Sequence, residues 1–208
     1  MILSKMTPPT DWLTVPLSHI EEELRNFDGW VLCGGHSVAL LTGKDTRPHG
    51  DIDIGVFRTR ILDFLNLFAE ERVFLCRQGN HEKWRGENIP GDIHDIWIAN
   101  ENVTHWLFQI MIFDDCEDQV YYRRNPRISW SKKCHSVNID HIRVLNPFVT
   151  FLFKANKNTQ EEREVHDLVK LIEGVGMFTF SNTPSLPIGQ TAFPFSNSNL
   201  QPPELTHE

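Results

Sequence analysis

The sequence predicts an α+β fold: an α/β mixed sheet flanked by helices, with a small helical annex at the C-terminal side. Three observations carry this. A short apolar run from Trp30 to Cys33 meets a Gly34-Gly35 break and then helical spacing. A strand-like segment, Asp51 to Phe57 (DIDIGVF), alternates acid and apolar residues. Two further apolar-periodic segments with helical spacing close the patterned part of the chain, between Pro147 and Glu173. On this basis residues 1–143 form the core, residues 144–177 the annex, and residues 178–208 a flexible or loosely packed tail.

The elements follow in order. The first dozen residues read as an irregular arm, because Pro8 and Pro9 oppose helix. Leu17, Ile20, Leu24 and Phe27 have helical spacing, and Ser18 with Glu21 has the spacing of a capping box. Trp30 to Cys33 is a strand, His36 to Leu41 a short helix that stops at Gly43, and Lys44 to Gly50 a polar loop. After the acidic strand, Thr59 to Arg72 reads as one amphipathic helix with Ile61, Leu62, Leu65 and Phe68 on one side. Val73 to Cys76 is a strand and Gly79 to Gly91 a charged loop. His94 to Ala99 (HDIWIA) and Trp106 to Phe113 (WLFQIMIF) read as neighbouring strands joined by the turn-rich Asn100, Glu101 and Asn102. Val120 to Arg123 reads as a further strand after the acidic loop DDCED. Pro147 to Ala155 starts as a helix should, with proline at its first position. In Thr159 to Glu173, Val165, Leu168, Val169 and Ile172 are spaced for burial. From Phe178 onward Ser, Asn, Pro and Gln dominate without a period.

Composition narrows the function. The 208 residues include 40% hydrophobic ones, enough for a core. Lys plus Arg is 20 against 28 for Asp plus Glu, a formal charge of -8, which disfavours a phosphate-backbone partner and suits a neutral or cationic small substrate. The four cysteines Cys33, Cys76, Cys116 and Cys134 form no CxxC pair, so they read as reduced thiols in a cytoplasmic protein. The N-terminus lacks the apolar region of a signal peptide, and no apolar run approaches the ~20 residues of a membrane span. No nucleic acid or membrane partner is expected.

Chemistry concentrates between Gly34 and Phe57. In a strand, residues i and i+2 share a face, so Asp51 and Asp53 would present two carboxylates together, with Ile52 and Ile54 packed behind them. Such a pair repels itself unless a cation sits between, and hard oxygen donors suit Mg²⁺. A DxD alone is a common chance pattern. A Gly-Gly turn entering a helix, however, lets backbone N–H groups approach a triphosphate, and the Ser37 hydroxyl could donate to a phosphate oxygen. One element would hold the phosphates and the other the metal that bridges them.

This combination resembles the nucleotidyltransferase superfamily with its DNA polymerase beta-like core, and within it the aminoglycoside adenylyltransferase-like branch. The segments TRPHGDIDI (Thr46 to Ile54), HDIW (His94 to Trp97), YRRNPRI (Tyr122 to Ile128) and NPFVTFLFKA (Asn146 to Ala155) carry the likeness, which spans Trp30 to Leu171. The resemblance implies the nucleotidyltransferase fold. It also implies transfer of a nucleoside monophosphate, AMP from ATP, to a hydroxyl of a small acceptor, a cationic one such as an aminoglycoside included. Asp51 and Asp53 would be the catalytic, Mg²⁺-holding residues of a site with room for two ions. Gly34, Gly35 and Ser37 would cradle the phosphates, and Arg47, His49 and Lys154 would be further nucleotide contacts. Asp167 could orient Lys154 or Arg163, and Arg123 and Arg124 could meet a phosphate, although paired arginines after a strand are usually surface.

The pattern departs from the family at its third acid. The aligned position is Gln109, which offers no anionic oxygen, so Asp95 on the neighbouring strand and Asp114 at the strand end are the substitutes to weigh. Two alternatives follow: a catalytically weakened nucleotide-binding relative with a regulatory role, or an adenylylating toxin acting on a macromolecule. The acidic run Asp114, Asp115, Glu117 and Asp118 could attract an amine-rich acceptor or form a solvated loop.

Overall fold

In the computed structural model, residues 7–43, 49–155 and 162–181 are described, with side chains left aside at 163, 164 and 174–181. Residues 44–48 of the polar loop, Arg47 among them, and the tail beyond residue 181 lie outside the described residues.

Helix α1 (Leu17–Glu23) leads to strand β1 (Trp30–Leu32), helix α2 (Gly34–Thr42) and strand β2 (Asp53–Phe57). A 3-10 turn (Arg58–Arg60) and the short helix α3 (Ile61–Leu65) precede β3 (Val73–Arg77), β4 (Asn80–Lys83), β5 (Asp95–Ala99) and the long β6 (Trp106–Cys116). Strands β7 (Gln119–Tyr121), β8 (Ser129–Ser131), β9 (Ser136–Ile139) and β10 (Ile142–Leu145) come next, then helices α4 (Pro147–Ala155) and α5 (Glu162–Ser181). The main sheet runs β4-β3-β5-β6-β2-β1-β10-β9, with β7 and β8 continuing from the end of β6. The β2–β6 and β1–β10 pairs are parallel and the other strand pairs antiparallel. The mixed sheet flanked by helices is therefore as the sequence predicts.

Alternation along the strands sorts two cores. Ile54 and Val56 of β2, Ile96 and Ile98 of β5, and Ile110 and Ile112 of β6 face one side, where Ile20 and Leu24 of the first helical segment and Phe64 of α3 cover them. Val31, Cys33 and Phe113 face the other side, under Val149 and Phe153 of α4. Asp53 and Gln109 occupy this second side by the same alternation, and they are direct neighbours in the β2–β6 register. Gly55 has no side chain because none fits: a Cβ there would lie 2.6 Å from Phe113 and 2.7 Å from Val31. Among the described residues no helix is long and apolar enough to cross a membrane.

Four local expectations are corrected. The first helix begins at Leu17 behind Pro16 and has no side-chain cap, so Ser18 does not form a capping box. The single helix expected over Thr59 to Arg72 breaks after Leu65, because the chain must turn back into β3; Arg72 fixes that return by donating to the Ala99 carbonyl at 2.9 Å and pairing with Glu23 at 3.2 Å. Asn80 to Lys83, read as loop, pairs with β3 at the sheet edge, its charged residues largely exposed. On α5, Val165, Val169 and Ile172 are exposed at 43%, 46% and 62%, while Leu168 and Leu171 are buried. A polar contact turns the helix this way: Asp167, 2% exposed, points inward to Lys154 at 2.8 Å.

Candidate active site

Strand β1 delivers the chain to Cys33, and α2 starts at once with Gly34 and Gly35. Gly34 holds φ of +62°, a left-handed conformation that favours glycine. It also lies flat against the neighbouring acid: a Cβ on Gly34 would fall 1.7 Å from Asp53 Oδ2. The Cys33 N–H donates to the Asp53 carbonyl at 2.8 Å, locking the turn to β2. Burial, then the charge of Asp53, pushes the Cys33 thiol well up, against a lowering contribution from the Gly55 backbone, so Cys33 is a neutral thiol and no nucleophile.

Around this turn lies a cleft of about 260 Å³. Gly34, Gly35, Asp51 and Asp53 form one wall, with Asp95, Gln109 and Met111 from β5 and β6 beside them. Arg123, Arg124, Thr150, Phe153 and Lys154 line it as well, bringing three cationic side chains to the same space. Asp51 precedes β2 rather than lying within it, yet both aspartates reach the cleft. Arg124 is held by donation to the Phe153 carbonyl at 2.9 Å, and Lys154 by Asp167. Gln109 Nε2 donates to Asp95 Oδ1 at 3.2 Å, and Arg123 Nη1 stands 3.5 Å from Asp95 Oδ2.

The structure thus brings together Gly34, Gly35, Asp51, Asp53, Asp95, Gln109 and Lys154. Other candidates sit elsewhere. Ser37 is fully buried, and its hydroxyl donates to the Gly34 carbonyl at 2.7 Å, inside the first turn of α2. His49 packs against His36 with ring centroids 4.6 Å apart, outside the residues that line the cleft. Asp114, five residues beyond Gln109, turns to the other side of the sheet, where Arg58 and His94 hold it. Burial would raise its carboxyl, but hydrogen bonds from His94 and Arg58 and their charges outweigh it and hold the group below the usual range. Two more acids of the run are internally engaged: Asp115 with Thr59 and Lys132, Asp118 with Ser131. Asp114, Asp115 and Asp118 thus pin a hairpin to its neighbours. For Arg123 and Arg124 the sequence left a phosphate contact and the surface both open, and the structure puts both residues on the cleft. Their one signal was membership of the YRRNPRI segment; nothing local marks a paired arginine as inward-facing.

A glycine turn at the head of a helix, packed on an aspartate strand in a mixed sheet, defines the nucleotidyltransferase fold. The comparisons with known proteins carry the same resemblance to the antibiotic adenylyltransferases: the family model described as aminoglycoside-2''-adenylyltransferase matches residues 16–85. Two solved structures share the fold. One is the lincosamide antibiotic adenylyltransferase LnuA, lincomycin-bound (TM-score 0.52, 17% identity, covering 78% of this chain and 98% of that one). The other is ANT(2'')-Ia in complex with adenylyl-2''-tobramycin (TM-score 0.50, 11% identity, covering 78% and 90%). No curated protein matches the sequence.

Proposed function

We propose that the protein is an adenylyltransferase that moves AMP from ATP to a hydroxyl of a small antibiotic-like acceptor of the aminoglycoside or lincosamide kind. The observation that supports this most is the meeting of Asp51 and Asp53 with the Gly34–Gly35 turn and with Arg123, Arg124 and Lys154 around one cleft. Acids and bases on facing parts of a single space suit a ligand that is itself a polyanion with a bound cation.

The donor set fits Mg²⁺ carried with the nucleotide. Asp51 and Asp53 bring two hard oxygen donors to the cleft. That suits Mg²⁺, which takes one or two carboxylates and fills its octahedron with phosphate oxygens and water. When bound, the ion neutralises charge developing on the phosphates. The chain's own groups do the rest. The backbone of Gly34 and Gly35 leaves the phosphates room to approach, and the arginines and Lys154 supply charge and direction to the triphosphate. Phe153, buried beside Tyr122, walls water from one side of the cleft.

The test is direct. Purified protein with Mg·ATP and tobramycin or lincomycin should release pyrophosphate and form adenylylated antibiotic, read by mass spectrometry. Asp53→Asn should abolish release while its far-ultraviolet circular dichroism matches wild type. Full activity of that folded variant would refute the metal assignment.

A further inference from the structure

Adenylyl transfer to a hydroxyl needs a group that takes the hydroxyl proton as the oxygen attacks. We propose that this group is Asp95, with Gln109 as its positioning residue. The assignment rests on the adenylyltransferase reading and deepens it.

The cleft decides by exclusion and by geometry. Asp51 and Asp53 are committed as cation ligands. Gln109, the side chain adjacent to Asp53 in the sheet, is an amide and takes no proton at neutral pH. Asp114 lies across the sheet, held by Arg58 and His94. Asp167 is 3% exposed along its side chain and bound to Lys154. Asp95 is the carboxylate that remains among those lining the cleft, and its side chain is 32% exposed.

Its placement suits the task. Strands β2, β6 and β5 are consecutive in the sheet. Asp95 stands two strands from Asp53 and two residues out of its register, so at about 4.8 Å per strand and 3.4 Å per residue their backbones are roughly 12 Å apart. Both carboxylates line the same cleft, and that separation suits a phosphorus atom and an attacking oxygen between them. The register puts Asp95 beside Met111, which lines the same cleft.

Gln109 then has a defined job. Its Nε2 donates to Asp95 Oδ1, which fixes the carboxylate plane and leaves Oδ2 outside that bond. The contact of Oδ2 with Arg123 is long, at 3.5 Å, and a carboxylate oxygen has lone pairs for a second partner. In the reaction the acceptor O–H proton passes to Asp95 Oδ2. The acceptor oxygen forms its bond to the α-phosphorus, the bond from that phosphorus to the bridging oxygen breaks, and pyrophosphate leaves with the electron pair.

The experiment compares wild type, Asp95→Asn, Asp95→Glu and Gln109→Ala with tobramycin and lincomycin as acceptors. Pyrophosphate release is followed from pH 5 to 9, and Mg·ATP-analogue binding by calorimetry. Asp95→Asn should lose about 10²- to 10⁴-fold in kcat and bind the analogue within about threefold of wild type. It should also lose the acid limb of the kcat profile. Asp95→Glu should restore part of the rate together with that limb. Gln109→Ala should lower kcat by about tenfold, keep the limb and leave KM for ATP unchanged, since it acts through Asp95. An Asp95→Asn variant that keeps wild-type kcat and the acid limb overturns the assignment, as does an Asp95→Glu variant that folds but recovers no more than Asp95→Asn. Wild type that releases no pyrophosphate with either acceptor refutes the transferase reading itself, and the base role with it.

Discussion

Adding one methyl group to Gly34 separates the two things that glycine does. The backbone at φ +62° would have to hold an alanine in the left-handed region, at about 1–2 kcal/mol. The new Cβ would also meet Asp53, at 1.7 Å from Oδ2, 2.6 Å from Cγ and 2.9 Å from Cβ. Because the root of the side chain is crowded as well as its tip, a new rotamer does not relieve the contact, and β2 or the turn must give. The carboxylate retreats by more than about 1 Å, a displacement that in a positioned site can cost 10²-fold in rate. Overpacking adds about 1–3 kcal/mol to the conformational cost. Gly43 supplies the control: its φ is +66°, and among the described residues a Cβ there meets nothing within 4 Å. Gly43→Ala should therefore lose only the conformational term and keep its activity. Urea denaturation should give about 1–2 kcal/mol of destabilisation for Gly43→Ala and about 2–5 kcal/mol for Gly34→Ala, and pyrophosphate release should fall about 10²-fold in Gly34→Ala alone. Equal losses of stability in the two variants, with wild-type rates in both, would show that Asp53 does not depend on the contact with Gly34.

Two further outcomes follow. His135 accepts a hydrogen bond from Trp130 Nε1 at 3.1 Å and is 2% exposed, and burial pushes its pKa down to about 3, against a smaller raising effect of Asp115. A histidine lowered in the fold contributes fully above its unfolded pKa near 6.5 and loses that contribution as pH falls toward 3. Urea titrations at pH 7 and pH 5 should differ by about 2 kcal/mol, and His135→Gln should flatten the difference; an unchanged slope would mean the imidazole titrates normally. Lys154→Met leaves the carboxylate of Asp167 buried without its lysine and should destabilise by about 3–5 kcal/mol in chemical denaturation, most of it recovered in Lys154→Met with Asp167→Leu. No recovery in the double variant would show that Asp167 serves a partner other than Lys154.

The parts of this molecule legible in sequence are those governed by local rules. β1, β2, β5, β6 and α4 announce themselves because apolar periodicity and turn residues act within a few positions. The Gly34–Gly35 turn and the acids Asp51 and Asp53 were legible for the same reason. What stayed hidden depends on contacts distant in sequence. β10 is a strand because it pairs in parallel with β1, more than a hundred residues earlier, and nothing in IRVL alone demands it. The inward face of α5 follows from one buried ion pair, which reverses the burial that an apolar count assigns to Val165, Val169 and Ile172. Arg124 enters the cleft because the Phe153 carbonyl and the Tyr122 hydroxyl hold it, and both belong to the annex packing. Ser37 shows the converse: its position fitted a phosphate ligand, but its hydroxyl sits in the interior of α2.

The charge pattern of the cleft makes sense of the glutamine at 109. A carboxylate at that position would stand one strand from Asp53, in direct register, at about 5 Å. At an effective dielectric near 20, two charges at that distance repel by about 3 kcal/mol, a burden the nucleotide-free protein would carry whenever no cation is present. Moving the acid one strand further, to Asp95, roughly halves the repulsion and brings it within reach of Arg123. The amide at 109 then links the two positions without charge, accepting none of the repulsion and donating to Asp95. In the nucleotide-free cleft Arg123 balances Asp95. Once a triphosphate enters, its oxygens compete for the same guanidinium, and Asp95 Oδ2 is released to accept from an acceptor hydroxyl. On this reading, nucleotide binding should precede productive acceptor binding, and initial-rate kinetics with both substrates varied should show an ordered pattern with ATP first. A random-order pattern would separate the role of Arg123 from that of Asp95.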